Sequence, residues 1–577
     1  MDIVAQDMAQ QARSASAKAL AAAGQTARVS RGLQPVGNNA ALSTNASAST
    51  STKYQSRMVL YCPKGADSIS LVFGGVFSST NSESDISVAA PMNLSYAVVP
   101  GPWDAAKSYV PGDQVSWYPV AATGNNPLYT CVTANTNSMP RPGNAAWAAA
   151  PAVAPIPITV EGQQLCGLTA QTTAGGTAVT KGWFQTDPFV PQGATGPCYV
   201  EIRAFVATAG TGNYALNYGQ PFASGSYLNQ GSSVADLTAS GNGSVNAAPG
   251  SCLRPLLALG TPAIKDDARA VAIVSDSIGT GQMGYGLSGT YTFASGGSGY
   301  TSDDIGRVLT SPDTGATAGA VGAPARFVIT NVASGAVTGI RMIHSGSYTN
   351  VASNPAQTLP GATQTLVGQT AGSGVQISGV SFVTGAMDGG DRGYAQGFLQ
   401  RALSGAGMRW AGFTSPGDGI CNWQARCYGR LAYLAKSGCT SAIIAIGIND
   451  VTGGKTAAQM QAAYLQLARQ LKGVGFSGLY LTTMMPGTSS SDGFATLAGQ
   501  TVAGYDAVRQ SVNAWARGVP APFDGCIDVA AAMEAGTTGK WVANGTPGYA
   551  TIDGKHPTES GHLLAAAAVT QALPKLV

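Results

Sequence analysis

Charged residues are scarce in this chain. Asp, Glu, Lys and Arg together make up 10% of its 577 residues, whereas about a quarter is usual in globular proteins. The formal net charge at pH 7 is only +3. A surface with so little charge gives no electrostatic reason to expect a nucleic-acid partner, so we predict none.

Histidine is also scarce, and cysteine follows no metal-binding pattern. The three histidines are His344, His556 and His562, and the nine cysteines include no C-x-x-C pair. Without ligand spacing we predict no metal site and no other cofactor. Cys421 and Cys427 are close enough in sequence to form a disulfide, but free thiols in the core are the favoured interpretation.

Long apolar runs are missing as well. No stretch reaches the length of a transmembrane helix, so we predict no membrane insertion. The N-terminal residues M-D-I-V-A-Q-D have neither the basic start nor the apolar core of a secretory signal. Glycine, in contrast, is abundant at 76 residues, a composition that favours a β-rich extracellular or virion-type protein.

The length of the chain predicts several domains. We predict an N-terminal helix and a Ser/Thr/Asn/Ala-rich linker over residues 1–55. The helix has a weak apolar stripe formed by Met8, Ala12, Ala15 and Ala19. This stripe fits either a trimeric stalk or docking arm, with a homotrimer as its consequence, or a frayed terminus.

Residues 56–218 carry short apolar runs that are separated by Gly and Pro turns, which predicts an antiparallel β-sandwich. The predicted strands are Met58–Cys62, Ile69–Phe77, Leu94–Val99, Ile156–Glu161 and Cys198–Ala207. A stretch of different composition, residues 102–150, interrupts this domain.

The interrupting stretch is rich in aromatic residues for a chain with 7% Phe, Trp and Tyr. It reads W-D-A-A-K-S-Y-V-P-G-D-Q-V from Trp103 and closes at Trp147, and it resembles small chitin-binding-type carbohydrate modules. The resemblance implies that exposed rings stack on sugars; the alternative is that so small a domain uses its rings as a core. The candidate glycan-binding residues are Trp117, Tyr118 and Tyr129.

The C-terminal half alternates strands and helices. A Gly/Ser/Asn-rich linker is predicted over 219–264, and the alternation over 265–577 predicts an α/β domain with a doubly wound parallel sheet. This domain is interrupted at 287–386, where Gly297–Thr301 recurs loosely as Ser345–Thr349. The recurrence predicts an inserted β-repeat domain, and the repeats resemble those of phage tail-fibre and tailspike proteins.

Two strands of the α/β domain end in residues that suit nucleophilic catalysis. The buried run Val271–Ser275 leads to Ser277, and the run from Ala442 leads to Gly447-Ile448-Asn449-Asp450. Parallel strands present their carboxyl ends at one edge of a sheet, where open α/β sheets bind ligands. We therefore expect Ser277 and Asn449 to be neighbours in space.

The base that such a serine needs is found near the C-terminus. Asp553 and His556 are three residues apart, immediately before Pro557. A serine nucleophile needs a base to accept its proton, and the base needs an acid to hold its tautomer. His344 lies within the inserted repeat, so His556 is the preferred base.

Together these motifs resemble the SGNH (GDSL-like) hydrolases, whose domains are flavodoxin-like. The resemblance implies that Ser277 is the nucleophile and an oxyanion donor, Asn449 a second donor, and His556 and Asp553 the base and acid. It also implies a glycine N–H donor, which is Gly417 or Gly419, with a weak preference for Gly419. Ser275 stands where the family usually has glycine, which bears on the geometry of the turn.

The predicted activity is that of a carboxylic ester hydrolase. We expect a serine esterase that removes O-acyl groups, most simply acetyl, from a bacterial surface polysaccharide, as part of a phage or prophage tail or an extracellular protein. Two alternatives stay open. One is a non-catalytic glycan-binding tail fibre or adhesin, and the other is a lipase or thioesterase.

Overall fold

We describe a computed structural model of the chain. The residues that it describes are 34–36, 39–40, 45–49, 52–74, 76–79, 82–85, 90–101, 103, 107–116, 128–136, 138, 140, 144–151, 153–162, 164–168, 171–172, 178–179, 183–191, 196–207, 212–216, 227–239, 255, 257–263, 270–282, 285–287, 291–311, 321–323, 325–344, 347–348, 364–368, 370, 372–379, 382–384, 397–426 and 428–573. The predicted N-terminal helix lies outside these residues.

The C-terminal domain is built on a six-stranded parallel sheet. Its strands are β1 (Asn39–Ala40), β2 (Val271–Ser275), β3 (Trp410–Thr414), β4 (Ser441–Ala445), β5 (Gly478–Thr482) and β6 (Gly525–Ile527), in the spatial order β1-β3-β2-β4-β5-β6. Strands β2, β3 and β5 are buried along their whole length. Such burial on both faces explains their apolar composition without alternation.

Helices cover the two faces of this sheet. They are α1 (Ser277–Thr280), α2 (Phe398–Gly405), α3 (Ile420–Arg426), α4 (Tyr428–Lys436), α5 (Ile448–Thr452), α6 (Ala457–Gly473), α7 (Asp506–Arg517), α8 (Val529–Met533) and α9 (Glu559–Ala572). Helix α6 begins with a capping box between Thr456 and Gln459 and buries Met460, Ala463, Leu467 and Leu471. These four residues give the helix an apolar face that packs in the core of the domain.

The strand order determines where a ligand can bind. Leaving aside β1, the first strand of the domain, β2, lies between the second, β3, and the third, β4. Successive strands are therefore added on one side of β2 and then on the other. The edge of the sheet beside β2 is thus the topological switch point of a flavodoxin-like doubly wound sheet. Ser277 follows β2 and Asn449 follows β4, so both residues flank this point.

The N-terminal domain consists of two antiparallel sheets with a shared apolar core. One sheet contains Ile156–Ile158, Ala90–Val99, Cys198–Ala207, Lys53–Cys62 and Tyr227–Gly231, with Leu165–Leu168 also paired to Ala90–Val99; the other contains Gln34–Pro35, Leu257–Thr261, Ser68–Gly74 and Trp183–Gln185. Further two-stranded pairs are Asn45–Ser49 with Gly212–Leu216, Val76–Ser79 with Ser82–Asp85, and Gln171–Thr172 with Ala178–Val179. The predicted sandwich strand Cys198–Ala207 has the predicted bounds.

The two segments that we predicted as linkers contribute strands, so those assignments are wrong in part. Gln34–Pro35 pairs with Leu257–Thr261, and Asn39–Ala40 pairs with β3. In Leu257–Thr261 the leucines 257 and 259 join the core of the C-terminal domain, whereas Ala258 joins the sandwich core. Because alternate residues of a strand point to opposite faces, one strand serves both cores.

The first insertion forms a small β module between two paired strands of the sandwich. Its strands are Gln114–Ser116, Leu128–Cys131 and Trp147–Ala150 in one sheet, and Ser108–Tyr109 with Asn135–Thr136 in another. A separate apolar cluster, which includes Tyr109, Tyr129 and Trp147, forms its core. The aromatic rings that the structure describes there are therefore mainly core residues.

The second insertion leaves and rejoins the C-terminal domain through a paired stem, Tyr285–Leu287 with Phe382–Thr384. Its other strands are Thr292–Ser298, Val308–Thr310, Val321–Ala323, Arg326–Ala333, Ala336–His344, Ser347–Tyr348, Gln364–Thr365, Val367–Gly368 and Ser373–Ser378, with a 3-10 helix at Ser302–Asp304. The two ends of the insertion thus lie side by side. The second copy of the predicted repeat falls largely outside the described residues.

Within the part of the chain that the structure describes, no helix combines the length and apolarity that crossing a bilayer would require. Cys421 is a free thiol, and Cys427, its candidate disulfide partner, lies outside the described residues.

Candidate active site

Ser277 sits at the turn between β2 and a four-residue helix, α1. Asp276 caps this helix, because its carboxylate accepts a hydrogen bond from Ile278 N at 3.0 Å. Ser277 is the first residue of this helix, and no described residue accepts a hydrogen bond from its backbone N–H. The serine therefore presents both its hydroxyl and an unused backbone N–H at the sheet edge.

The neighbouring Ser275 explains how this turn tolerates a serine in place of glycine. Its Oγ is fully buried and donates a hydrogen bond to Ala445 O at 2.5 Å, which joins the end of β2 to the end of β4. A Cβ on Gly279 would lie 1.8 Å from this hydroxyl oxygen. Ser275 thus fills the space that a side chain at position 279 would occupy, so position 279 is restricted to glycine while Ser275 is present.

The three predicted triad residues lie in one hydrogen-bonded chain. Ser277 Oγ is 2.9 Å from His556 Nε2, and His556 Nδ1 is 2.7 Å from Asp553 Oδ2. An ionised carboxylate only accepts hydrogen bonds, so the Nδ1 proton is donated to Asp553 and Nε2 accepts from the serine hydroxyl. The geometry brings together residues that are 279 positions apart in the sequence.

Asp553 is held in its ionised form. Burial raises the pKa of its carboxyl, but attraction to His556 and hydrogen bonds from the His556 ring, His556 N and Lys555 N outweigh that effect. The net result is a pKa below the ordinary value of 3.8. An ionised carboxylate in this position stabilises a protonated imidazole ring.

Asn449 is oriented by the loop after β3. Its Nδ2 donates to Asp418 O at 2.9 Å, and an amide nitrogen has a second N–H to offer. Gly447 precedes it with φ +142°, and a Cβ there would lie 2.6 Å from Tyr464 Oη. Position 447 must therefore be glycine for the chain to turn from β4 into α5.

The same loop supplies two candidate glycine donors. Pro416 and Gly417 occupy the central positions of a turn in which Asp418 N donates to Ser415 O, with Gly417 at φ +76°. Gly419 N donates to Asp418 Oδ1 at 3.1 Å, whereas no described residue accepts a hydrogen bond from Gly417 N. The sequence left both glycines open with a weak preference for Gly419; in the structure the N–H of Gly419 is used within the loop, whereas no described residue accepts from that of Gly417.

Three buried carboxyl groups, those of Asp276, Asp418 and Asp450, adjoin the candidate site. Burial raises the pKa of Asp276 to about 7, and Asp418 and Asp450 add to the rise while the Ile278 hydrogen bond and His556 oppose it. Asp418 pairs with buried Arg430, and Asp450 accepts from Ile420 N and Cys421 N at the start of α3. These supports were not predicted from the sequence, although all three aspartates adjoin motif residues.

The other two histidines, His562 and His344, are not part of this hydrogen-bonded chain. His562 is fully buried, stacks on Phe398 and lies 3.3 Å from Gln282 O through Nε2, so it packs α9 against the nucleophile turn. His344 ends a strand of the second insertion. The described residues contain no group of three or more His, Cys, Asp or Glu side chains that could hold a metal ion.

Of the three predicted glycan-binding residues, the structure describes Tyr129. Tyr129 is only 4% exposed and packs in the module core beside Trp147, so its ring is not available to stack on a sugar. The assignment of Tyr129 is wrong, because a module of this size needs the ring for its own core. Trp117 and Tyr118 lie outside the described residues.

No family model and no curated protein matches the chain. Among solved structures, a GDSL-like lipase from Bacteroides thetaiotaomicron VPI-5482 is 22% identical, covering 30% of this chain and 80% of its own, with a TM-score of 0.24. A lipolytic G-D-S-L family member from Veillonella parvula DSM 2008 is 16% identical, covering 32% and 90%, with a TM-score of 0.25. A peptidoglycan O-acetylesterase is 15% identical, covering 54% and 91%, with a TM-score of 0.25.

Proposed function

We propose that this chain is a serine ester hydrolase of the SGNH type. The observation that carries the proposal is the chain of hydrogen bonds from Ser277 Oγ through His556 to Asp553, at 2.9 and 2.7 Å. Serine oxygen, imidazole and carboxylate are thereby in the order that acyl transfer requires.

In the first half-reaction Ser277 Oγ bonds to the ester carbonyl carbon while its proton moves to His556 Nε2. The carbonyl oxygen becomes an oxyanion, for which Ser277 N–H, the second Asn449 Nδ2 proton and Gly417 N–H are the donors. Collapse of this intermediate breaks the bond to the alcohol, which leaves with the proton from His556. Water then adds to the acyl-enzyme by the same steps, releasing the acid and restoring Ser277.

The substrate that we propose is an O-acylated, most simply O-acetylated, bacterial surface polysaccharide. One strand of the second insertion, Val321–Ala323, lies against α9, the helix that begins three residues after His556. An insertion that packs against this helix can bound a long groove of the kind that a polymer needs. The composition, low in charge and rich in glycine, agrees with an extracellular or virion tail protein, and we propose a homotrimer in that setting.

The experiment that tests this function is acetate release from a panel of O-acetylated bacterial polysaccharides, with Ser277→Ala as the matched control. We expect release by the native chain and none by the variant. Parallel assays use a short-chain aryl ester, a long-chain aryl ester and an acyl thioester. Hydrolysis restricted to the last two would identify a lipase or thioesterase, and polysaccharide binding without any hydrolysis would identify a non-catalytic binding protein.

A further inference from the structure

The loop that carries the acid and base is closed upon itself by local hydrogen bonds. Thr551 Oγ1 donates to His556 O at 2.8 Å and accepts from Gly554 N at 3.0 Å. Asp553 Oδ1 accepts from the backbone nitrogens of Lys555 and His556 at 2.9 and 2.7 Å. These bonds fix the shape of the loop, but all of them lie within it. They cannot by themselves fix its distance from Ser277.

The carbonyl group of Gly554 joins the loop to residues outside it by hydrogen bonds. Gly554 O accepts a hydrogen bond from Trp541 Nε1 at 3.1 Å, and Gly554 O and Thr488 N are also 3.1 Å apart in a backbone hydrogen bond. Gly554 has φ +76°, and a Cβ there would lie 1.7 Å from Thr488 O. The loop is therefore seated directly against Trp541 and the strand Thr488–Ser490.

Trp541 is itself held in place by hydrogen bonds to Gln500. Its side chain is fully buried. Its backbone N–H donates to Gln500 Oε1 at 2.9 Å, and its backbone oxygen accepts from Gln500 Nε2 at 3.0 Å. Gln500 begins the strand Gln500–Val502, which pairs with Thr488–Ser490. Both donors to Gly554 O thus come from one hydrogen-bonded unit.

We propose that Trp541, held by Gln500, is a positioning residue that sets the distance of His556 from Ser277 through the Gly554 carbonyl. The inference rests on the proposed serine hydrolase function. An indole has one N–H donor, and here that donor is aimed at the middle of the acid–base loop. Displacements of about 1 Å in such a loop can cost on the order of 100-fold in rate.

The test is Trp541→Phe, which removes the N–H and keeps most of the buried ring. Its matched control is Trp410→Phe, since Trp410 is equally buried and its indole donates to Ser404 Oγ at 2.9 Å, away from the acid–base loop. The assay is hydrolysis of an aryl acetate, with active sites counted by titration with a fluorophosphonate. Dividing the rate by titrated sites removes any contribution from unfolded protein.

We expect kcat per titrated site to fall about tenfold in Trp541→Phe with KM changed less than twofold, because the loop acts on the proton transfer and not on ester binding. Trp410→Phe should keep the native kcat per site whatever its effect on Tm. A Trp541→Phe kcat within twofold of the native value, or an equal loss in both variants, would overturn the proposal.

A second variant covers the case in which Trp541→Phe does not fold. Gln500→Met keeps the indole but releases the backbone of Trp541, so it should lower kcat per site in the same direction by a smaller factor, about threefold. An unchanged kcat there would then overturn the proposal. If the native chain itself neither hydrolyses the aryl acetate nor reacts with the fluorophosphonate, the proposed function fails instead, and the two failures are distinguishable.

Discussion

The two halves of the candidate site are held in place by different means. Ser277 and Asn449 follow central strands of the sheet, where backbone hydrogen bonds to both neighbouring strands fix their positions. The Asp553–His556 loop lies after the last strand of the sheet and is held by hydrogen bonds from Trp541 Nε1 and Thr488 N to Gly554 O. The nucleophile half is therefore determined by the fold, and the acid–base half by particular contacts.

The largest expected effect comes from removing the chemistry in either half. Ser277→Ala and His556→Ala should each lower the turnover of an aryl acetate by about 10⁴-fold or more, because the residues act as one unit. The double variant should be little worse than either single variant. Thermal unfolding of the three proteins is the control for folding, and activity close to native in either single variant would contradict the assignment.

A substitution at Asn449 separates transition-state stabilisation from substrate binding. Asn449→Ala should reduce kcat about 10²–10³-fold with a smaller change in KM, since the donor acts on charge that is present only in the transition state. Steady-state kinetics on the aryl acetate measures both constants. A change confined to KM would mean that Asn449 holds the substrate in its ground state.

Substitutions of Gly279 and Gly554 should differ in whether a second substitution can restore activity. Gly279→Ala places a Cβ 1.8 Å from Ser275 Oγ, so it should lower activity about 10–100-fold, and adding Ser275→Gly should restore most of it. At Gly554 the obstruction is the Thr488 carbonyl, at 1.7 Å. Because this obstruction is backbone, no side-chain substitution at Thr488 should rescue Gly554→Ala.

Gly405→Ala is the control for this comparison, because a Cβ there meets no atom within 4 Å. It should leave activity and Tm unchanged. Failure of the Ser275→Gly rescue would show that the nucleophile turn also depends on contacts beyond the one between Ser275 and Gly279.

The smallest expected effect on activity concerns Asp276, which instead links stability to pH. Its folded-state pKa of about 7 lies above the ordinary 3.8, so between these values the folded chain holds more protons than the unfolded chain. Its contribution to stability is therefore present at low pH and lost as pH rises towards about 7 and above.

Asp276→Asn cannot ionise and should remove this dependence. From about pH 5 to about pH 8, the free energy of unfolding of the variant should improve relative to the native chain by on the order of 1–3 kcal/mol. Urea unfolding of both proteins at both pH values measures this difference. Asp418 and Asp450 are present in both proteins, so their own contributions to the pH dependence cancel to first order. A difference that does not vary with pH would mean that Asp276 does not titrate in this range.

The sequence predicted the nucleophile half well because its residues follow strands that are recognisable from composition. Val271–Ser275 and Ser441–Ala445 are apolar runs that end in Ser277 and Asn449, and parallel pairing then brings these ends together. The Asp553–His556 spacing was equally visible. What the sequence could not show is which N–H groups are already used, so it left Gly417 and Gly419 both open as donors.

The supports of the acid–base loop could not be predicted for a physical reason. Trp541 and Gln500 are 41 positions apart and follow no periodic pattern, and a buried indole looks the same in sequence whether it packs a core or aims its N–H at a loop. The strands within the predicted linkers were missed because two-residue and five-residue pairings are too short to produce a period.

Strand β1 has a consequence for any shortened form of the protein. Asn39–Ala40 covers the outer edge of β3 by parallel pairing, although more than 370 positions separate Asn39 from its partner Ala411. A chain beginning at residue 265 would keep Ser277, Asn449, Asp553 and His556 but leave that edge with unpaired N–H and C=O groups. Open edges of this kind pair with other chains, and the excision would also remove Leu257 and Leu259 from the core of this domain, so the excised domain should be prone to self-association.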